Sequence, residues 1–121
     1  MNRSKWLFLV LVLVAPWPLY AGTAEIVDVD VKPMGNDLYE FDVTVAHEDT
    51  GWDHFVDKWV VIAPDGSLLG SRPIVQPHKG QKTFTRNLVG VMIPGEIKEV
   101  TVRAHDPVHG EGKTVTVQLP R

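Results

Sequence analysis

Apolar and polar residues alternate with a period of two along most of this chain. Val27, Val29 and Val31 alternate with Asp28 and Asp30, and Tyr39, Phe41, Val43 and Val45 alternate with Glu40, Asp42 and Thr44. Further on, Val100, Val102 and Ala104 are set against Glu99, Thr101, Arg103 and His105, and Val115, Val117 and Leu119 against Thr114, Thr116 and Gln118. A period of two sends successive side chains to opposite faces, so each stretch predicts a half-buried strand. Phe55–Ile62, residues 67–76 and Thr83–Val89 predict the remaining strands, with Pro73 marking an edge or a break. Turn residues fall every eight to twelve positions: Pro33-Met34-Gly35-Asn36-Asp37, Pro64-Asp65-Gly66, Pro77-His78-Lys79-Gly80, and Gly90 with Pro94 and Gly95. No segment carries a helical period. The pattern predicts a single all-β domain, an antiparallel sandwich of seven or eight strands.

The chain opens differently. Arg3 and Lys5 precede an unbroken apolar run, Trp6–Val14, followed by a Pro-containing break and small residues. The run is too short to span a bilayer as a free helix and reads as a secretory signal peptide over residues 1–21. Cleavage is expected after Ala21, with Ala24 as the second position. No cysteine follows the apolar run, so lipoprotein processing is not expected. Residues 22–121 then form one domain with no room for a second core.

Composition narrows the function. Two of the 12 Lys and Arg residues lie in the leader and none of the 15 Asp and Glu, so ten basic residues against 15 acidic ones leave a mature net charge of −5. That balance argues against nucleic acid and, once the signal is removed, against anionic membrane surfaces. The absence of cysteine excludes thiolate catalysis and thiolate metal ligands. A short exported domain without disulfides is expected to be periplasmic or secreted.

About 100 residues and a tryptophan, Trp59, within the third strand resemble an immunoglobulin or fibronectin type III module. The cysteine pair that accompanies that tryptophan in antibody domains is missing, so the resemblance is to the architecture. The strings Trp52-Asp53-His54, Pro77-His78, Phe84-Thr85-Arg86 and Val102-Arg103-Ala104-His105-Asp106 also resemble a group of small exported bacterial proteins of unknown function. This second resemblance covers most of the mature chain and implies no activity.

In an immunoglobulin-like sandwich all five histidines fall at one pole. His47 and His54 bound one connection, His78 lies in the next, and His105 and His109 belong to the third. The connections near 33–37, 64–66 and 90–96 contain no histidine. Imidazole is the commonest protein ligand for transition metals. The expected ligands are His54, His105, His109 and His78, with His54 and His105 the central pair, because both lie at the ends of neighbouring strands. His47, which continues the inward parity of its strand, is expected to be structural. Asp49, Asp53, Asp106 and Glu111 share these loops, either as ligands or as acceptors that orient an imidazole. Met34 and Met92 map to the opposite pole, which disfavours thioether copper sites. One Cu(II) or Zn(II) ion is the cofactor such a nitrogen-rich set fits.

Other readings compete. The spacings match no metal motif, and short polar loops collect histidine, so a surface cluster without a special role, or a protonation-sensitive binding face, accounts for the same residues. A periplasmic protein-interaction module contacting another envelope protein is the alternative function. Trp52 is expected to pack down as a lid. Arg86 and Arg103 are expected to form surface ion pairs. Ser67 and Ser71, the only serines after the leader, lie away from the histidines, so no enzyme activity is expected.

Overall fold

A computed structural model describes residues 23–47, 49 and 51–120; the leader region therefore lies outside the described residues. The described residues form eight strands: β1 (Glu25–Gly35), β2 (Leu38–Ala46), β3 (Lys58–Ile62), β4 (Leu68–Pro73), β5 (Thr83–Met92), β6 (Glu99–Asp106), β7 (Gly110–Glu111) and β8 (Val115–Gln118). Among the described residues there is no helix. One sheet has the order β1-β2-β5. The other runs β4-β3-β6-β7, with β8 also pairing β6. All pairings are antiparallel.

The alternation along the sequence becomes the packing between the sheets. On β2, Tyr39, Phe41, Val43 and Val45 point inward; on β6, Val100, Val102 and Ala104 do. They meet Trp59 and Val61 of β3 and Phe84 of β5 in one core. Trp59 is fully buried, as its mid-strand position predicts.

Two strand ends carry this parity beyond the apolar residues. His47 follows β2 and Asp106 ends β6, and both side chains point into the sandwich at the same pole. Three connections close over them: 47–57 between β2 and β3, 74–82 between β4 and β5, and 107–114 after β6. Backbone bonds tie these together, with His47 N donating to Lys82 O (3.0 Å), Asp57 N to His105 O (3.0 Å) and Ile74 N to Asp57 O (2.8 Å). The chain also enters the fold here. Glu25 pairs with Ala46, and a Cβ on Gly112 would lie 1.8 Å from Ala24 O, so position 112 admits only glycine without backbone movement.

The opposite pole holds the β1–β2 hairpin. Gly35, Asn36 and Asp37 all have positive φ (90°, 56° and 64°), the backbone that tight hairpins require and that Gly and Asn tolerate best. Leu38 pairs with both Gly35 and Met92, placing Met34 and Met92 far from the histidines.

Candidate metal centre

Asp106 is the centre of the site. It is completely buried. Its Oδ1 accepts hydrogen bonds from Val108 N (2.8 Å) and His109 N (2.7 Å), which shape the turn after β6. Its Oδ2 is buried and has no hydrogen-bond partner. A buried carboxylate oxygen left in this way costs free energy unless a cation or donor offsets it.

Three imidazoles surround this carboxylate. His47 Nε2 lies 3.6 Å from Oδ2, His54 Nε2 3.5 Å from Oδ1, and His109 Nδ1 3.4 Å from Oδ1. His54 Nε2 and His109 Nδ1 are 3.2 Å apart. The ring centroids of His47 and His54 are 4.9 Å apart, edge to face, and those of His54 and His109 are also 4.9 Å apart. Ligand atoms of His47, His54 and Asp106 all fall within 4.8 Å of one another, a donor set that can hold a metal ion. His47 and Asp106 have no exposed side-chain surface, whereas His54 and His109 are 18% and 38% exposed, so the cluster opens to solvent on one side only.

A further shell fixes His47. Asp49, itself buried, places Oδ1 2.5 Å from His47 Nδ1 and 3.3 Å from Val56 N, and accepts from His78 N at 2.6 Å through Oδ2. An ionised carboxylate only accepts, so Nδ1 donates, and Nε2 is the ring nitrogen turned toward Asp106. Carboxylates orient metal-binding imidazoles in this way. Asp49 also links the 47–57 connection to the 74–82 connection.

Of the four expected ligands, the structure brings His54 and His109 together and places His105 and His78 elsewhere. His105 occupies the outer face of its sheet, because the parity that turns Asp106 inward turns its neighbour outward. Its Nδ1 bonds Asp57 Oδ1 at 2.7 Å, a partly exposed pair that contributes little stability. It lines an open groove of about 280 Å³ with Lys58, Arg103 and Glu111, on the far side of the sheet from the cluster. His54 also differs from its expected setting. The Phe55–Ile62 strand begins only at Lys58, and His54 closes a tight turn with Gly51 that folds it over the pole.

His78 is buried with its ring stacked on Phe84, centroids 4.1 Å apart at 9°. Arg86 Nη2 donates to His78 Nε2, and the other ring nitrogen, Nδ1, is buried without a hydrogen-bond partner. Burial pushes the His78 pKa down, the Arg86 charge adds to that, and the Asp49 carboxylate opposes it. A histidine whose folded pKa lies below its ordinary 6.5 contributes stability that is complete above that value and is lost as pH falls toward the folded pKa. The stability gap between the metal-free parent and His78→Gln is therefore expected to narrow between pH 7.5 and pH 5.5, as read by thermal melts. A gap independent of pH contradicts the neutral-ring arrangement.

On the sequence alone His47 is structural and Asp106 is one of the loop acids. The signal for both was present, since each extends an inward parity by one step. Of the other loop acids, Glu111 pairs with Arg103 at 3.1 Å and Asp53 is exposed. Trp52 is not a lid. It is 71% exposed at the tip of the 51–54 turn and touches Phe55 edge-on, because that tight turn carries it outward from the sandwich end.

Fold and site together define an all-β sandwich with an imidazole–carboxylate cluster at one pole. A protein from Halomicrobium mukohataei described as "Putative lipoprotein" is 37% identical to this chain over 89 residues, which are 74% of this chain and 43% of that protein. The chain thus spans less than half the length of that relative. No family model matches the chain, and no solved structure matches it significantly.

Proposed function

We propose that this is an exported protein that binds one divalent transition metal ion, Cu(II) or Zn(II), through His47, His54, His109 and Asp106. The observation that carries this reading is the fully buried Asp106 carboxylate, whose Oδ2 has no hydrogen-bond partner and faces imidazole nitrogen. Nitrogen and oxygen donors without sulfur suit these two ions. Export is supported by the leader-like first 21 residues and by the name of the relative. Among the described residues no helix is long and apolar enough to cross a membrane. Ala24 is completely buried beside Gly112, which favours cleavage after Ala21 over cleavage after Ala24. The strand orders β1-β2-β5 and β4-β3-β6-β8 support an immunoglobulin-like reading, with β4 joining the sheet of β3 as in fibronectin type III modules. The role we assign is binding, without catalysis.

Calorimetric titration of the tag-free protein tests this. About one equivalent of Zn(II) or Cu(II) is expected to bind tightly. Binding is expected to weaken as pH falls through the imidazole range, about 6.5, because a protonated ring cannot coordinate. Affinity no better than that of free histidine rejects the metal reading. One observation favours a second reading in that event. Trp52, Val75 and Val108 are 71%, 77% and 58% exposed, one on each of the three connections around the cluster, as a protein-docking face would present them.

A further inference from the structure

We propose that the ion is Zn(II), held by four protein ligands in a closed tetrahedron that joins two of the connections at the pole. This rests on the metal reading above and goes beyond it in naming the ion, its geometry and its role.

Zinc bonds imidazole nitrogen at about 2.0–2.1 Å and carboxylate oxygen at about 2.0–2.2 Å, so the edges of a tetrahedral site are about 3.3–3.5 Å long. A square-planar arrangement with similar bonds has adjacent donors about 2.8–2.9 Å apart and opposite donors about 4.0 Å or more apart. His54 Nε2 and His109 Nδ1 are 3.2 Å apart and lie 3.5 and 3.4 Å from Asp106 Oδ1, so these three donors form one triangle, while His47 Nε2 lies 3.6 Å from the other oxygen, Oδ2. The nearly equal sides of that triangle are those of one face of a tetrahedron; three donors of a square plane would show two short sides and one long one.

The donors are also unequal in burial. His47 follows the end of β2 and is oriented by Asp49. Asp106 ends β6, with Oδ1 held by two backbone amides. Both are buried. His54 and His109 come from opposite sides of the opening, one on the 51–54 turn and the other on the turn after β6. Closing these two rings over a buried carboxylate and a buried imidazole completes four protein ligands and leaves no position for water or substrate. A zinc site of that kind is structural. It joins the β2–β3 connection to the turn after β6, and Asp49 carries the link to the β4–β5 connection through His78 N.

Raw affinity cannot identify the ion, since Cu(II) outcompetes Zn(II) for most nitrogen and oxygen sites. Coordination geometry can. The tag-free protein is loaded with Co(II) as a spectroscopic substitute for Zn(II). The intense visible d–d absorption of four-coordinate Co(II) is expected, abolished by one equivalent of Zn(II). His109→Ala, a change on a partly exposed turn, is expected to lower Zn(II) affinity at least tenfold and to change the Co(II) spectrum as solvent takes the fourth position. The weak absorption of six-coordinate Co(II) in the parent, or a spectrum unchanged by His109→Ala, overturns the closed tetrahedron and leaves the metal reading standing. Failure of the parent to bind both Co(II) and Zn(II) overturns both.

Discussion

Asp106→Asn is expected to abolish tight metal binding while making the metal-free protein more stable. The two effects have one origin. Asparagine keeps an oxygen where Oδ1 accepts from Val108 N and His109 N, so the turn after β6 retains its cap. It removes the charge that Oδ2 carries into a fully buried position without a hydrogen-bond partner. Leaving a buried polar atom unsatisfied costs about 1–3 kcal/mol, and more for a charged one, so a gain of about 1–3 kcal/mol is expected in the metal-free state. Metal affinity should fall by more than about 100-fold, since even changes in the groups behind the ligands commonly cost 10–100-fold. Chemical denaturation of the metal-free protein and calorimetry of the metal give the two numbers. A variant that loses stability and keeps its affinity would make Asp106 a turn cap and nothing more.

Trp59→Ala is expected to show the opposite separation, a large loss of stability with little change at the site. Trp59 is the largest fully buried side chain among the described residues, on a strand hydrogen-bonded on both sides, opposite Arg72 of β4 and Ala104 of β6. Truncating such a ring leaves a cavity that neighbouring strands cannot close, at a cost of about 3–5 kcal/mol. Domains of this size are commonly stable by only about 5–15 kcal/mol, so the loss consumes much of the total. Trp59→Phe should cost much less. It keeps most of the apolar volume and removes Nε1, a buried donor without a hydrogen-bond partner. Urea titration measures both. Trp59 is not among the residues of the cluster, so the metal affinity of the folded fraction should stay within a few-fold of the parent. Equal stabilities of Trp59→Ala and the parent would show that the core is not organised around this ring.

The strands, the sandwich and the histidine-rich pole were legible in the sequence because each rests on local information. Alternation of period two is a property of the strand itself, and turn residues mark where it stops. Once Tyr39–Val45 and Val100–Ala104 are taken as facing strands, the connections that follow them must lie at one end. The absence of Met34 and Met92 from that end follows from the same topology.

The membership of the cluster was decided by tertiary structure. The face a residue takes changes with every step along a strand, so proximity along the chain misleads at the ends. His105 lies beside Asp106 in sequence and on the opposite face of the sheet, where it pairs with Asp57. His47 looked structural because its parity pointed inward, and Asp106 looked like a loop acid because the apolar residues ended at Ala104. Inward parity at a strand end is what brings both to the mouth of the sandwich. His54 and His109 depend on the 51–54 turn and the turn after β6, whose paths are set by Gly51 and by the Asp106 amide bonds. His78 was removed from the set by Arg86 and Phe84, neighbours that only the packing of β5 against the 74–82 connection supplies. The period of the residues thus determines the sheets and the pole at which the histidines gather. Which nitrogens face the buried carboxylate is determined by side chains from distant strands competing for the same few ångströms.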